Sequence, residues 1–162
     1  MSKLVLIGGP PGVGKSSTLN YLPSFFEHCA CLDADEVWRV HAPEINHALR
    51  PVAIRNITAV LRGYREAGIP YVFMAWPLAN PDIIKELRAK LDSHYESVQV
   101  LHLIAAPQML EMRCKSEPTL ARNPEYALEK LRQIRSLPYQ KVDTTMMSKK
   151  SVAERIAELV KK

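Results

Sequence analysis

The hydrophobic positions of this chain form short continuous runs that alternate with longer stretches of helical periodicity. Short apolar runs of this kind are typical of strands that are buried on both faces of a parallel sheet. Each run is followed by residues that favour turns or cap helices, which marks the end of the strand. The predicted strands comprise residues 4–7, 29–32, 71–75, 98–104 and 139–142.

Between these runs, apolar residues recur at the spacing of amphipathic helices. Two segments open with the same signal, Asn80-Pro81-Asp82 and Asn123-Pro124-Glu125. In this signal the asparagine caps the helix, the proline suits its first turn, and the acid lies near its positive end. Further helices are predicted over residues 15–26 and 52–67, through residues 109–112, and from Ser148 onward. Because strands and helices alternate, we expect an α/β fold with a parallel sheet covered on both faces.

The composition fits one domain over residues 1–162. It also bears on whether the partner is a membrane or a nucleic acid. Hydrophobic residues make up 47% of the chain and charged residues 24%, as in ordinary globular proteins. No apolar run reaches the length of a membrane span, and the first residues lack the apolar core of a signal peptide. We therefore expect a cytoplasmic protein without a membrane partner. The net charge of +5 permits a nucleic-acid partner, but lysines near the last helix supply much of it, which favours a solvated face.

A phosphate-binding loop follows the first predicted strand. The glycines allow the backbone to wrap closely, so that several N–H groups point at phosphate oxygens. The lysine of such a loop reaches the outer phosphates of ATP, the following serine ligates Mg²⁺, and the next helix adds its positive end. The motif G-x-x-x-x-G-K-[ST] is complete, and the predicted nucleotide-binding residues run Gly9-Pro10-Pro11-Gly12-Val13-Gly14-Lys15-Ser16-Ser17.

Other motifs separate the classes of protein that carry this loop. A GTPase would add an Asn-Lys-x-Asp motif and an Asp-x-x-Gly switch, and neither string occurs in the chain. A motor or AAA-type ATPase needs an acidic pair that closes a later apolar strand, whereas Asp35-Glu36 lies too near the loop. The sequence therefore favours a kinase.

A second group of acids, Asp33 and Asp35, comes just after the second predicted strand. Ligands of open α/β sheets bind outside the carboxyl ends of the strands, where this segment is expected. Two residues at i and i+2 of an extended segment point the same way, so both carboxylates are expected to face the nucleotide phosphates. One would hold a magnesium-bound water and the other would accept the proton of an attacking hydroxyl.

The phosphate loop, the sequence Leu32-Asp33-Ala34-Asp35 and the downstream Arg39 together resemble the small-molecule kinase group of P-loop proteins. That group includes shikimate, gluconate and adenylylsulfate kinases, chloramphenicol phosphotransferase and the kinase domain of polynucleotide kinase. The resemblance extends over nearly the whole chain. It implies a three-layer fold with a five-stranded parallel sheet in the order 2-3-1-4-5, and a short lid at about residues 113–123.

The resemblance also implies roles for individual residues. Asp33 would serve magnesium and Asp35 would be the catalytic base, beside the catalytic Lys15. Arg122 would close over the transferring phosphoryl group. On the nucleotide side, Arg113 would face the nucleotide, and Thr144 would belong to the loop that holds its base.

The acceptor side is less closely matched. Arg135 corresponds to the position at which shikimate kinase binds the carboxylate of its substrate, and Arg55 lies in the helix expected to assist it. The chain departs from that enzyme after the third strand, where Met74-Ala-Trp-Pro replaces a run of glycines. Trp76 is either a wall of the acceptor pocket or part of the core. Because Arg39, Arg55 and Arg135 are all expected near the same sheet edge, an anionic acceptor is favoured.

The predicted activity is transfer of the γ-phosphate of ATP, with Mg²⁺, to a hydroxyl of a small acceptor. Two alternatives remain open at this level. One is a nucleoside, nucleotide or polynucleotide 5′-kinase, since Trp76 and the basic residues suit a base and a backbone. The other is an ATP-binding regulatory module without turnover, which would have no need of a base at Asp35.

Overall fold

The computed structural model describes residues 1–40, 47–117 and 123–162. Within these residues, strands and helices alternate as the sequence predicts. The strands are β1 (Lys3–Gly8), β2 (Cys29–Asp33), β3 (Tyr71–Ala75), β4 (Ser97–Ile104) and β5 (Gln140–Asp143). The helices are α1 (Lys15–Tyr21), α2 (Arg50–Glu66), α3 (Pro81–Leu91), α4 (Pro107–Ser116), α5 (Pro124–Ser136) and α6 (Lys149–Lys161).

The five strands form one parallel sheet in the order β2-β3-β1-β4-β5, which confirms the predicted fold class and strand order. In the pairing register, Ala75 lies opposite Ile7 of β1 on one side and opposite Asp33 of β2 on the other. The carboxyl ends of these three strands are therefore level with one another, and the segments that leave them meet at one edge of the sheet.

Side chains of β1 alternate between two hydrophobic cores, one on each face of the sheet. Val5 and Ile7 pack on the side of α1, α4, α5 and α6. Leu4 and Leu6 pack on the side of α2 and α3. Because residues 4–7 of this central strand all enter one core or the other, β1 and the loop that follows it have a fixed position.

The helix-start signals form the caps that the sequence predicts. The Asn80 side chain accepts a hydrogen bond from the Asp82 N–H at 2.9 Å, and the Asn123 side chain accepts one from the Tyr126 N–H at 3.2 Å. Ser148 caps α6. The helix predicted over residues 15–26 is shorter than expected. Its α-helical part ends at Tyr21 and a 3₁₀ turn over Leu22–Ser24 follows, because Pro23 has no N–H with which to continue the helix.

No helix in the described ranges is both long enough and apolar enough to cross a membrane.

Candidate active site

The phosphate loop connects β1 to α1, and its shape depends on glycine. Gly12 and Gly14 have φ angles of +80° and +105°, in the left-handed region that other residues rarely adopt. A Cβ at Gly12 would lie 2.8 Å from the Cys114 Sγ of α4, whereas a Cβ at Gly14 would meet nothing within 4 Å. Backbone conformation therefore requires glycine at position 14, and both conformation and packing require it at position 12.

Lys15 folds back across the start of the loop. Its Nζ donates to the carbonyl oxygens of Gly9 at 2.8 Å and Pro10 at 3.0 Å. The side chain is partly exposed at the mouth of the loop. The positive charge of this ammonium group thus lies over the concave side of the loop, where the motif predicts that phosphates bind.

Ser16 joins the phosphate loop to the first of the two predicted acids. Its Oγ donates to Asp33 Oδ2 at 2.5 Å. Asp33 is the last residue of β2, and the level strand ends bring it to the loop across the intervening β3. A hydroxyl and a carboxylate are the hard oxygen ligands that Mg²⁺ prefers. These two groups therefore fit the magnesium site that the sequence predicts at Ser16 and Asp33.

The segment that carries Asp35 is not extended, which corrects the prediction made from its spacing to Asp33. Residues Ala34–Val37 form a 3₁₀ turn. The Asp33 Oδ1 caps this turn by accepting the Asp35 N–H at 3.2 Å, since aspartate is a favoured N-cap residue. The two carboxylates consequently have different partners: Asp33 bonds to Ser16, and Asp35, which is exposed, bonds to Trp76.

Trp76 lies directly after β3. The sequence predicts that it is either a wall of the acceptor pocket or part of the core, and its position has features of both. Its ring is 9% exposed and belongs to the core on the α2 and α3 side. Its polar edge reaches the site, where Nε1 donates to Asp35 Oδ1 at 3.2 Å. Trp38 packs against it edge to face, with the ring centroids 6.1 Å apart. The Trp38 Nε1 is buried without a hydrogen-bond partner among the described residues.

The turn after β3 is held on both sides by hydrogen bonds. The Trp76 N–H donates to the Ile7 carbonyl at 3.1 Å, and the Gly9 N–H donates to the Pro77 carbonyl at 3.0 Å. Leu78 has a φ of +51°, a strained conformation for a branched side chain. Its carbonyl oxygen lies 2.9 Å from the Nε2 of the fully buried His102. These bonds fix the turn relative to the phosphate loop.

A cavity of about 320 Å³ opens on the other side of the phosphate loop. Two residues predicted to serve the nucleotide, Arg113 and Thr144, lie together in its wall. The Arg113 guanidinium donates to both Thr144 Oγ1 and the Thr144 carbonyl, each at 3.0 Å. The other lining residues are Gly12, Val13, Gly14, Ser17, Thr18, Ser116, Glu117, Met147, Ser148, Lys149 and Val152.

Arg135 lies near the carboxyl end of β4. Its Nη2 donates to the Ala105 carbonyl, just after β4, at 3.3 Å. Next to it, hydrogen bonds from the side chain and backbone of Thr145 lower the pKa of Asp143, and the charges of Arg135 and Arg113 lower it further. Arg135 is thus bound just after β4, and its gathering with Arg39 and Arg55 near one acceptor stays a prediction.

Arg39 and Arg55 are exposed on the β2 side of the sheet. Asn56 Nδ2 of α2 donates to the Val37 carbonyl at 2.9 Å, which places the helix that carries Arg55 beside the segment that carries Arg39. β2 and β4 are three strand spacings apart, about 14 Å. Arg135 donates to the carbonyl of Ala105, which lies just after β4. Arg122 and residues 118–121 of the predicted lid lie outside the described residues.

Sequence reasoning missed three residues that shape this site: Trp38, His102 and Cys114. The Cys114 Sγ lies 3.6 Å from the Pro11 carbonyl of the phosphate loop. For His102 the sequence offered one signal, which is that a histidine stands in the carboxyl half of an otherwise apolar strand. In the structure this histidine is buried. The contacts of Trp38 and Cys114 depend on residues distant in sequence, and no local pattern marks them.

Comparison with known proteins identifies solved structures with the same fold. No family model matches the chain, and no curated protein sequence matches it. The tunicamycin resistance protein of Deinococcus radiodurans superposes with a TM-score of 0.72 at 20% identity, over 99% of this chain and 96% of that one. A sugar kinase from Janibacter sp. HTCC2649 gives a TM-score of 0.73 at 14% identity, over 99% and 95% of the two chains.

A gluconokinase from Sinorhizobium meliloti 1021 matches with a TM-score of 0.66 at 15% identity, over 98% of this chain and 95% of that one. Sugar, gluconate and shikimate kinases are thus among the structural neighbours, which confirms the predicted resemblance. At these identities the likeness establishes the fold, and the chemistry has to be argued from the site.

Proposed function

We propose that this protein is a kinase that transfers the γ-phosphate of ATP to a hydroxyl group of a small acceptor. The observation that carries the proposal is the hydrogen bond between Ser16 and Asp33, 2.5 Å long. It joins a complete phosphate loop to the segment that bears a second, exposed carboxylate at Asp35. A site that only bound MgATP would need the loop and Asp33, but not the second carboxylate at Asp35.

The phosphate loop and Lys15 would bind and orient the phosphates. The loop backbone is held open by its left-handed glycines, and Lys15 would exchange its two carbonyl partners for phosphate oxygens. Ser16 and Asp33 would hold Mg²⁺, directly or through water. The ion supplies charge neutralisation on the phosphate oxygens when it is bound. Catalysis of phosphoryl transfer consists mainly of positioning the phosphates and stabilising their charge, and these groups would do both.

Asp35 would act as the general base. Its carboxylate accepts the proton of the acceptor hydroxyl as that oxygen forms a bond to the γ-phosphorus. The bond between this phosphorus and the bridging oxygen breaks, and its electron pair leaves with ADP. Exposure of Asp35 at the sheet edge gives a hydroxyl access to it.

The cavity beyond the loop would receive the adenosine part of the nucleotide. Arg113 and Thr144 form its wall, and Arg135 lies behind them near Asp143. We therefore assign Arg135 to support of the nucleotide side. The closing role of Arg122 over the phosphoryl group follows from the resemblance and is part of the same proposal.

The acceptor would enter on the β2 side, where Asp35, Arg39 and Arg55 are all exposed. Two guanidinium groups on this flank favour an acceptor that carries a carboxylate or phosphate, because arginine binds both with paired hydrogen bonds. A sugar acid or a phosphorylated sugar fits this description. A nucleoside or nucleotide is the second candidate, favoured by the two tryptophans near Asp35.

Replacement of the base tests the proposal and separates a kinase from a binding module. Asp35→Asn should leave MgATP affinity unchanged by calorimetry, and should lower turnover roughly 10²- to 10⁴-fold, the usual contribution of a general base. Turnover is measured as phosphate release to water and as transfer to a panel of sugar acids, phosphorylated sugars and nucleosides. Glu36→Gln, a matched change of the neighbouring acid in the same turn, should have no effect. Equal turnover of Asp35→Asn and the wild type would refute the assignment.

A further inference from the structure

Trp76 follows the carboxyl end of β3, and its indole N–H contacts the proposed base, Asp35. We infer that Trp76 is a positioning residue, which holds the Asp35 carboxylate in the orientation that accepts the acceptor's proton. The inference rests on the proposed role of Asp35. It gives Trp76 a function distinct from walling the acceptor pocket, since the ring itself is buried.

The hydrogen bond between the two side chains fixes one carboxylate oxygen. Trp76 Nε1 donates to Asp35 Oδ1 at 3.2 Å, and an indole N–H is a donor only, so it cannot accept a proton in return. The bond restrains rotation of the carboxylate and leaves Oδ2 without this partner. A base that is exposed on a short 3₁₀ turn gains a preferred orientation in this way.

The backbone around Trp76 ties this direction to the phosphate loop. The Trp76 N–H donates to the carbonyl oxygen of Ile7 in β1, and the carbonyl oxygen of the next residue, Pro77, accepts the first N–H of the loop, that of Gly9. In the sheet, β3 lies between β1 and β2. The indole therefore links two segments that do not pair with each other: the loop that would hold the γ-phosphate and the turn that holds the base.

Trp38 provides a matched control for the test. It packs edge to face on Trp76, at 6.1 Å between centroids, and its Nε1 has no partner among the described residues. Trp38→Phe and Trp76→Phe remove the same atoms from the same aromatic pair. Only the second removes a hydrogen bond to the base.

The first experiment measures phosphate release from MgATP by the wild type, the two phenylalanine variants, Asp35→Asn and the double variant Asp35→Asn/Trp76→Phe. Trp76→Phe should lower kcat about 10- to 100-fold with an unchanged KM for ATP, the equivalent of one charge-assisted hydrogen bond. Trp38→Phe, which leaves the hydrogen bond to Asp35 in place, should lower kcat less than Trp76→Phe does. The double variant should be no slower than Asp35→Asn, because both changes act on the same group.

The second experiment needs no turnover and keeps both tryptophans in place. The chain has two tryptophans, so its ¹⁵N–¹H spectrum has two indole signals, which the phenylalanine variants assign. Asp35→Asn should shift the Trp76 signal and leave the Trp38 signal in place. An unmoved Trp76 signal would overturn the inference, even where Trp76→Phe does not fold.

The outcomes distinguish this inference from the proposed function. If Asp35→Asn turns over at the wild-type rate, the proposed base is wrong and the inference fails with it. If Asp35→Asn is slow while Trp76→Phe keeps the wild-type kcat, the base is supported and the positioning role alone is refuted. Losses that multiply in the double variant would also refute it, because they would show independent effects.

Discussion

Replacement of Gly12 by alanine tests whether conformation and packing both fix the phosphate loop. The φ of +80° at this position costs an alanine roughly 1–2 kcal/mol. The added Cβ would also lie 2.8 Å from Cys114 Sγ, inside the closest approach of real contacts, and such overpacking costs about 1–3 kcal/mol. We expect Gly12→Ala to lower the free energy of unfolding by about 2–5 kcal/mol, the sum of the two effects.

Two further variants separate these effects. Gly14→Ala meets no atom within 4 Å and has a φ of +105°, so it should lose only the conformational part, about 1–2 kcal/mol. Cys114→Ala removes the colliding sulfur. In urea unfolding, the pair Gly12→Ala/Cys114→Ala should therefore be less destabilised than the sum of its single changes, with a coupling of about 1–3 kcal/mol. Strict additivity, or equal losses for Gly12→Ala and Gly14→Ala, would refute the packing argument.

Two other predictions concern the charge of the loop and the buried histidine. Lys15→Ala should weaken MgATP binding about 10- to 100-fold in calorimetry, while Lys85→Ala on exposed α3 should not; unchanged ATP affinity together with unchanged turnover would contradict the role of Lys15. Burial is the main cause that lowers the pKa of His102 below 6.5. Below pH 6.5 the unfolded chain thus binds more protons than the folded one, and stability should fall by up to about 1.4 kcal/mol per pH unit until the folded pKa is reached. His102→Gln, which keeps a donor for Leu78, should reduce the difference in unfolding free energy between pH 7.5 and 5.5; an identical difference in both proteins would contradict this.

Local signals in the sequence were sufficient for most of the fold. The caps at Asn80 and Asn123 act within three residues, and the apolar runs of the strands report burial on both faces. The strand order was implied by the resemblance to the small-molecule kinase group, and the sheet has that order. These features depend on neighbouring residues or on a complete motif, and both are visible in the sequence.

The arrangement of the acceptor side was not predictable in the same way. The 3₁₀ turn at Asp35 forms because Asp33 caps it. Extended and turn conformations compete in this segment, and the spacing of the two acids alone does not decide between them. The bond from Trp76 to Asp35 joins residues 41 positions apart and depends on the lateral order of the strands. Arg135 was assigned to the acceptor by its position in a motif, and that position carries no information on its hydrogen bond to the Ala105 carbonyl.

The placement of the aromatic pair has a consequence for how ligands can be detected. The chain has two tryptophans, and both lie at the Asp35 end of the site. The cavity on the nucleotide side has none in its wall. Tryptophan emission therefore arises entirely from the Asp35 end, where we propose that the acceptor enters, so the protein carries its own optical reporter there. Compounds titrated against the unlabelled protein in saturating nucleotide would change this emission when they enter beside Asp35, which allows an acceptor to be sought without knowledge of its product.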